Sequence, residues 1–372
     1  MTAIYLDYNA STPVDPRVVT AMLPLLEEAF GNPSSDHWAS RPAKTALDRA
    51  RGQVATLLGC MPDEIVFTSG GSEANNLALI GSYFALREKG DHVITQVTEH
   101  PAILKPLAFL ERLGAKVSYL QVDGAGQVDP DAVRRAINSR TVLISVMHAN
   151  NETGTIQPIE EIGAIARERG IRFHSDTAQS VGKILTKVDA VGVDLLSVAG
   201  HKLYAPKGVG ALYVRRGTTI APLIHGAGHE SGRRAGTESA LLATGLGEAC
   251  HVAQEWVGMP YTQHLRDLFW HRLRASFGNR TALNGHPHQR LPNTLNVSFV
   301  GHMGADILAR MPDIAASTGS ACHSGQITLS PVLQAMGVAP EVGAGAIRFS
   351  LGRSTSPEEI DKVVDQLRRA IA

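Results

Sequence analysis

Short apolar runs rich in β-branched residues alternate with longer stretches of helical hydrophobic spacing between residues 64 and 214. Such runs are typical of buried strands, whereas apolar residues that recur every three or four positions are typical of helices. Helices are predicted at residues 73–89 and 158–169. The predicted strands cover residues 64–68, 92–95, 116–120, 141–147, 171–174, 194–198 and 209–214. Because strands alternate with helices, we predict βαβ units and a mostly parallel seven-stranded sheet covered on both faces.

The pattern changes after about residue 258. The last part of the chain predicts helices at 261–277, 305–310 and 356–371, a strand at 295–300 and a Gly/Ser-rich stretch at 317–325. The final helix begins with a favourable N-cap, Ser356, followed by Pro357 and two acidic residues. We therefore predict an α/β protein with a large α/β domain over residues 15–257 and a small α+β domain built from residues 1–14 and 258–372.

The chain has 372 residues, with 35 Lys and Arg against 35 Asp and Glu, so its net charge is zero. A neutral balance argues against a nucleic-acid binder, whose domain is usually strongly basic. No run approaches the roughly 20 apolar residues that cross a bilayer. Cys60, Cys250 and Cys322 are far apart and odd in number, which is typical of reduced thiols in the cytosol. These features predict a cytoplasmic enzyme without nucleic-acid or membrane partners, and no metal site is predicted.

Polar clusters follow five of the predicted strands, at residues 69–72, 99–100, 148–152, 176–179 and 200–202. In open α/β sheets, ligands bind beyond the carboxyl ends of the strands. The clusters contain carboxylate, amide, imidazole, hydroxyl and amine groups, a mixture that a scaffold alone does not require. They therefore predict a ligand site at that edge of the sheet.

Lys202 and Asp176 suggest the chemistry of this site. A lysine that follows a buried strand is unusual, because burial disfavours its charge and lowers its pKa, and such an amine can attack a carbonyl carbon. Taken alone, the sequence Gly-His-Lys is better explained as a surface loop. Asp176, however, ends the preceding strand, where its carboxylate could keep a pyridinium nitrogen protonated. A lysine and a carboxylate are the two groups that pyridoxal 5′-phosphate (PLP) requires of a protein.

A Gly-rich turn at residues 70–72 opens a predicted helix, so its backbone N–H groups and the helix dipole offer an anion site for a phosphate. The turn is not a Walker A motif, since no Gly-Lys-Ser/Thr follows, and no GxGxxG motif precedes a downstream acid. His100 leaves two alternatives open. It could stack on a cofactor ring and pass protons, or it could cap a loop.

Motifs along nearly the whole chain resemble the NifS-like branch of the class V aminotransferases, which comprises cysteine desulfurases and selenocysteine lyases. This resemblance implies fold type I of the PLP-dependent transferases, PLP as cofactor and a homodimer. The motifs are YLDYNASTP at 5–13, GNPSS at 31–35, FTSGGSEAN at 67–75, EH at 99–100, HANNETG at 148–154, DTAQ at 176–179, GHK at 200–202, RRAGTE at 233–238, LPNT at 291–294, GSAC at 319–322 and IRFSLGR at 347–353.

The resemblance also implies roles for individual residues. Lys202 is expected to bind the cofactor covalently and to move the substrate α-proton, with Asp176 on the pyridine nitrogen. His100 is expected to stack on the ring face and to assist proton transfer. The remaining cofactor contacts that it implies are Gln179 with the ring hydroxyl, Asn151 with the cofactor edge or the substrate, Gly71, Ser72 and His201 with the phosphate, and Thr237 contributed across the dimer. The implied substrate contacts are Arg353, as a bidentate clamp on the carboxylate, with Asn32, Asn151 and His323.

Cys322 differs from the other two cysteines in its surroundings. Cys60 and Cys250 lie in apolar helical stretches and are predicted to be buried hydrophobic residues. Cys322 lies in a polar, Gly/Ser-rich loop beside His323, where exposure and a nearby potential cation favour a thiolate. The resemblance implies that this thiol meets the departing sulfur or selenium.

Two departures from the desulfurase pattern bear on the choice of substrate. Ala199 stands where desulfurases commonly have a serine before Gly-His-Lys, and His323-Ser324 stand where they tend to have Thr-Ser. The sequences Ala-Cys-His-Ser and IRFSLGRST look more like those of selenocysteine lyases. A selenol is more acidic than a thiol, so selenium can leave without attack by a protein thiol. Cys322 or His323 is then a proton donor or a gate.

We therefore expect a PLP-dependent selenocysteine lyase, which converts L-selenocysteine to L-alanine and releases elemental selenium or, with an external reductant for the selenium, selenide. The close alternative is a cysteine desulfurase that leaves a persulfide on Cys322. Another class V lyase or aminotransferase is a more remote alternative. Whether a separate acceptor protein takes the sulfur or selenium stays open.

Overall fold

The computed structural model of the protein describes residues 3–318 and 329–371. No helix within these ranges is both long enough and apolar enough to cross a membrane. The strands are β1 (Ile4–Tyr5), β2 (Ile65–Thr68), β3 (His92–Gln96), β4 (Lys116–Leu120), β5 (Thr141–Ser145), β6 (Arg172–Asp176), β7 (Leu195–Ala199), β8 (Gly210–Val214), β9 (Thr281–Asn284), β10 (Thr294–Phe299), β11 (Ile314–Ala315) and β12 (Ala346–Ser350). The α-helices are α1 (Pro16–Met22), α2 (Leu25–Glu28), α3 (Arg41–Leu58), α4 (Gly71–Leu86), α5 (Pro101–Arg112), α6 (Pro130–Ala136), α7 (Ile159–Glu168), α8 (Val188–Val191), α9 (Ala240–Ala253), α10 (Tyr261–Phe277), α11 (Gly304–Ala309), α12 (Pro331–Ala335), α13 (Pro340–Gly343) and α14 (Pro357–Ile371).

A seven-stranded sheet, here called the large sheet, has the strand order β2-β8-β7-β6-β5-β3-β4. The neighbours from β7 to β4 in this order run parallel, and β8 runs antiparallel to both β7 and β2. Each of the predicted strands between residues 64 and 214 is present, with ends that shift by at most two residues. The α/β class and the mostly parallel seven-stranded sheet are therefore confirmed.

Both faces of the large sheet are covered, which explains why its strands are apolar throughout. In β5, the buried side chain of Leu143 packs in a cluster with residues of α4 and α5. The next residue, Ile144, belongs to a different cluster that includes residues of α3, α7 and α9. Since successive side chains in a strand point to opposite faces, these two residues contact helix layers on opposite sides of the sheet.

A second sheet, here called the small sheet, has the order β12-β10-β9 and is antiparallel. Its strands share a hydrophobic cluster with α10 and α14, in which Phe269 and Phe349 pack edge to face with ring centroids 5.0 Å apart. Near the N-terminus, β1 joins β11 in a parallel pair, and Ile4 and Leu6 belong to the same cluster. The division into domains at residues 15–257 and 258–372 stays a prediction, and this separate cluster is consistent with it.

Candidate active site

A cavity of about 530 Å³ lies between the carboxyl edge of the large sheet and β12 of the small sheet. The large-sheet side is formed by the segments that follow β2, β3, β5, β6 and β7, as the rule for open α/β sheets predicts. The small-sheet side contributes Arg348. The residues of the predicted site that line this cavity are Gly71, Ser72, His100, Asn151, Asp176, Gln179, His201 and Lys202.

Asp176 is the last residue of β6, and its carboxylate is held by neutral donors. Its Oδ2 accepts a hydrogen bond of 2.7 Å from the side-chain amide of Asn75 in α4. Its Oδ1 accepts one of 2.9 Å from the backbone N–H of Ala178. The side chain is only 7% exposed, and it forms no ion pair with any described residue. The site therefore presents a fixed, buried carboxylate that a cationic ring nitrogen can meet.

Lys202 ends a short 3₁₀ turn, Gly200–Lys202, which follows β7 directly. The parallel pairing of β6 and β7 brings this turn beside the end of β6. Burial lowers the pKa of the Lys202 amine, and the negative charge of Asp176 opposes that shift in part. Lys202 is therefore placed at the cavity with a larger neutral fraction than a surface lysine has, which nucleophilic attack and proton abstraction both require.

The turn at Gly70–Ser72 begins α4, a helix of 16 residues, so its first backbone N–H groups point out of the helix end toward the cavity. This turn lies against the start of β8. A Cβ on Gly210 would lie 2.7 Å from the carbonyl carbon of Gly70, so no larger residue fits there without moving the turn. His201 lines the cavity as well, and its Nδ1 lies 3.4 Å from the hydroxyl of Ser11.

His100 caps a helix, as one of the two alternatives expects, and it also lines the cavity. It is the N-cap of α5, where its Nδ1 accepts a hydrogen bond of 3.1 Å from the backbone N–H of Ala102. That bond leaves Nε2 as the protonated ring nitrogen of the neutral tautomer. Burial, with a further contribution from Lys202, lowers the pKa of His100. The imidazole therefore lines the cavity as a neutral ring in a fixed orientation.

Glu99 lies beside His100 in the chain and is buried. Its Oε1 accepts hydrogen bonds from the backbone N–H of Met147, at 2.6 Å, and from the side-chain amide of Gln96, at 3.1 Å. Burial raises the pKa of this carboxyl to about 8, and the negative charge of Asp176 adds to the effect. Glu99 is therefore mostly protonated at neutral pH. The sequence pattern did not identify this property, since it depends on how deeply the side chain is buried.

Arg348 is a cavity residue that the sequence analysis did not single out. It occupies the middle of β12, its side chain is only 7% exposed, and its Nη2 lies 2.6 Å from Oδ1 of Asp7. Its Nη1 donates a hydrogen bond of 3.0 Å to the backbone carbonyl of Asn151, whereas its buried Nε has no partner within the described ranges. A buried arginine held at both ends beside a cavity is suited to bind a carboxylate. The sequence signal was an arginine in the centre of an apolar strand.

Arg353, the residue expected to clamp the substrate carboxylate, does not line this cavity. Its guanidinium carbon lies 4.1 Å from the ring centroid of Tyr204 and 5.3 Å from that of Trp256. Its Nη1 also lies 3.4 Å from a carboxylate oxygen of Asp15. The chain leaves β12 at residue 350, so Arg353 follows the strand end into a different environment from that of Arg348. Arg348, rather than Arg353, is therefore the arginine that lines the cavity.

Two further predicted residues lie away from the cavity. Asn32 and Thr237 are exposed, and neither lines it. Asn32 instead accepts a hydrogen bond of 2.9 Å from the backbone N–H of Ser34. The two loop residues, Cys322 and His323, lie outside the described ranges. Among the other cysteines, Cys250 is buried and Cys60 is half-buried.

The described residues fit PLP in three independent respects. Asp176 offers a buried carboxylate held by neutral donors, Lys202 offers an amine of lowered pKa, and the N-terminus of α4 offers backbone donors for a phosphate. The cavity of about 530 Å³ lies within the usual range for small-molecule and cofactor sites. The predicted residues that line the cavity therefore fit PLP in both chemistry and space.

Comparison with known proteins agrees with this geometry. The family model for aminotransferase class-V matches residues 4–363. The cysteine desulfurase IscS of Dictyoglomus turgidum is 47% identical over 372 residues, which cover 99% of this chain and 94% of that protein. The protein of the same name from Methanosarcina thermophila is 46% identical, with 98% of this chain and 90% of that protein covered. These relatives favour the desulfurase alternative over the expected selenocysteine lyase.

Solved structures lead to the same family. A structure described as a NifS-like protein superposes with a TM-score of 0.93 at 34% identity, covering 100% of this chain and 99% of that one. A structure described as SspA in complex with cysteine has a TM-score of 0.84 at 39% identity, covering 94% of this chain and 98% of that one. The chain therefore belongs to the class V aminotransferase family, whose cysteine desulfurase branch depends on PLP.

Proposed function

We propose that this protein is a cysteine desulfurase, which converts L-cysteine to L-alanine and transfers the sulfur to a protein thiol. The observation that carries the proposal is the cavity in which Lys202 and Asp176 face Arg348. It holds the two groups that PLP requires, together with a guanidinium for an amino-acid carboxylate. The names of the relatives support cysteine as the substrate.

This proposal replaces our expectation of a selenocysteine lyase. That expectation rested on Ala199, on His323-Ser324, which lie outside the described ranges, and on the likeness of residues 347–355 to selenocysteine lyases. Ala199 ends β7 and lies against the turn that begins α4, since a Cβ built on Gly71 would lie 3.0 Å from the Cβ of Ala199. Residue 199 is therefore close to the proposed phosphate site rather than to a departing sulfur or selenium. The alanine at position 199 affects the packing of the turn that begins α4, and it does not discriminate between L-cysteine and L-selenocysteine.

The bound cofactor supplies an electron sink that stabilises negative charge at the substrate Cα. We assign Asp176 to its ring nitrogen, Gln179 to its ring hydroxyl and His100 to its ring face. The donors for its phosphate are Gly71, Ser72 and His201. A neutral His100 is compatible with stacking, since it brings no second positive charge to the ring. Asn151 lies at the edge of the same cavity.

Arg348 is assigned to the substrate carboxylate. Asp7 and the carbonyl of Asn151 hold its two terminal nitrogens, so the guanidinium plane is fixed before substrate binds. A fixed donor group orients the carboxylate with little loss of side-chain entropy. Lys202 is assigned to the proton on the substrate Cα, because its lowered pKa provides the neutral amine that can accept it.

Cys322 is assigned to the sulfur transfer on the basis of its sequence context. Its thiolate sulfur attacks the sulfur of the bound cysteine, an S–S bond forms, and the C–S bond of the substrate breaks. The electron pair of that bond stays with the substrate carbon, which takes up a proton, so L-alanine leaves and Cys322 carries a persulfide. No external oxidant or reductant is needed for this step.

We also propose a homodimer in which Thr237 reaches the phosphate site of the second copy. This residue is exposed and does not line the cavity of its own chain, as a residue contributed across an interface requires. We further propose that the sulfur on Cys322 passes to a thiol of an acceptor protein.

The test is alanine formation by the PLP-loaded protein from L-cysteine and from L-selenocysteine, measured side by side for the unaltered protein and for Cys322→Ala. We expect turnover of L-cysteine with one persulfide per active site, and we expect Cys322→Ala to lose both. The matched control is Cys60→Ala, which should retain both, because burial raises the pKa of Cys60 to about 12 and keeps it protonated. Alanine formation from L-selenocysteine but not from L-cysteine would support the selenocysteine lyase instead. Pyruvate as product would indicate a β-eliminating enzyme.

A further inference from the structure

Lys183 is a buried lysine that the proposed mechanism does not use. It lies between β6 and α8, and its amine is in the protein interior. Its Nζ donates a hydrogen bond of 3.0 Å to Oε1 of Gln179 and lies 3.4 Å from Oδ1 of Asn9. Lys183 does not line the main cavity, so it reaches the site only through these neighbours.

The contact with Lys183 determines which way the Gln179 amide faces. Oε1 of Gln179 accepts from the lysine, and Nε2 of Gln179 donates a hydrogen bond of 3.0 Å to the backbone carbonyl of Asn9. Rotating the amide by 180° would place its N–H groups against the lysine amine and its oxygen against the carbonyl oxygen of Asn9. The observed orientation leaves the second N–H of Nε2 available to the cavity that Gln179 lines.

Asn9 is itself held in place, so it provides a rigid support for this arrangement. Its Oδ1 accepts a hydrogen bond of 3.0 Å from Asn293, and its Nδ2 donates one of 2.9 Å to the hydroxyl of Thr294. Its side chain is 1% exposed. The Gln179 amide is therefore fixed from two sides, by Lys183 at its oxygen and by Asn9 at its nitrogen.

The electrostatic surroundings of Lys183 are unfavourable for a lysine with a purely structural role. Burial, together with the nearby charges of Lys202 and Arg348, lowers its pKa to about 7. Within the described part of the chain, Lys183 forms no ion pair with a carboxylate, and its partners are neutral amide oxygens. A methionine would fill similar space without the cost of burying an amine. The amine is therefore better explained by what it does to Gln179.

We propose that Lys183 is a positioning residue, which holds the Gln179 amide with Nε2 toward the ring hydroxyl of bound PLP and thereby keeps that hydroxyl in its ionised form. The inference rests on the proposed function, in which Gln179 contacts the ring hydroxyl. A donated N–H stabilises the ionised oxygen, so loss of the orientation makes that oxygen more basic.

The test is the pH midpoint of the visible absorption band of the bound cofactor, measured with purified PLP-loaded protein. We expect Lys183→Met to raise this midpoint by about one pH unit, because a hydrogen bond to an ionised group is lost. The matched control is Lys187→Met. Lys187 is exposed on the same segment and donates only to backbone carbonyls of residues 56 and 57, so its loss should leave the midpoint unchanged.

A double-mutant cycle separates positioning from direct charge effects. If Lys183 acts through Gln179, then Gln179→Leu raises the midpoint, and adding Lys183→Met to Gln179→Leu causes no further change. An equal shift in both backgrounds would overturn the proposal, since the charge would then act on the cofactor directly. A folded Lys183→Met protein with an unchanged midpoint would also overturn it. If Lys183→Met does not fold, Lys183→Gln is compared in the same two backgrounds and judged by the same outcomes.

The dissociation constant of PLP gives a second readout and distinguishes the two ways of failing. An unaltered protein that binds no PLP contradicts the proposed function itself. An unaltered protein that binds PLP, with a midpoint that Gln179→Leu shifts and Lys183→Met does not, contradicts only the role of Lys183. We expect Lys183→Met to weaken PLP binding no more than Gln179→Leu does.

Discussion

The two walls of the cavity place their charged groups in different ways. On the large-sheet wall, Asp176 and Lys202 stand at the ends of adjacent parallel strands, so both reach the same edge. On the small-sheet wall, Arg348 stands in the middle of β12, while Arg353 beyond its end packs on Tyr204. The carboxyl ends of parallel strands lie at the same edge of the sheet, so a residue that directly follows a predicted strand can be placed on the large-sheet wall from sequence alone. In an antiparallel strand, only tertiary contacts show which charge faces a site.

The largest expected effect concerns the large-sheet wall. Lys202→Ala should lower the rate of alanine formation by about 10³-fold or more, because the proposed base for the substrate α-proton is removed. The visible absorption band of lysine-bound PLP should disappear as well. The matched control is Lys207→Ala, an exposed lysine five positions further along. Comparable activity in the two variants would show that the base on this wall has been misassigned.

The next effect tests the small-sheet wall. Arg348→Gln should raise the KM for L-cysteine by about 10- to 100-fold, since a charge-assisted hydrogen bond contributes roughly 1.5–3 kcal/mol. Steady-state kinetics of Arg348→Gln and Arg353→Gln, run together, measures the contrast between the two arginines. A larger increase in KM for Arg353→Gln would return the carboxylate clamp to the position expected from the sequence.

The sequence predicted the large-sheet side of the site better than the small-sheet side, and the reason is physical. Local hydrophobic patterns indicate where β6 and β7 end, and parallel packing then brings Asp176 and Lys202 together without further information. The partners of Arg348 are Asp7 and Asn151, which lie 341 and 197 positions away, so no local pattern reports them. The same limit applies to the contact between Ala199 and Gly71, which removed only the part of the argument for selenium that rested on Ala199.

A third prediction concerns stability behind the large-sheet wall. Burial raises the pKa of Glu99 from 4.5 to about 8, so the folded protein holds a proton over a range in which the unfolded chain loses it. The free energy of unfolding should therefore fall as the pH rises from about 4.5 to about 8. The side chain of Glu99→Gln does not titrate, so the free energy of unfolding of this variant should depend less on pH. At pH 8 it should exceed that of the unaltered protein by on the order of 2 kcal/mol.

Urea denaturation at about pH 5 and pH 8 measures this difference. Glu161→Gln is the matched control, since Glu161 is exposed on α7 and should give the same pH dependence as the unaltered protein. If Glu99→Gln and the unaltered protein lose stability in parallel between the two pH values, then Glu99 is ionised in the folded state and does not carry a buried proton.

The smallest effect isolates Arg353 as a structural residue. Its guanidinium stacks on Tyr204 and Trp256 and pairs with Asp15, so Arg353→Gln removes two cation–π contacts and one ion pair. We expect a loss of about 1–2 kcal/mol in the free energy of unfolding, with the KM for L-cysteine changed by less than about threefold. Thermal denaturation and steady-state kinetics on the same preparation measure the two quantities. Unchanged stability with a raised KM would mean that Arg353 moves into the cavity when substrate binds, and the contrast between the two walls would then describe only the substrate-free protein.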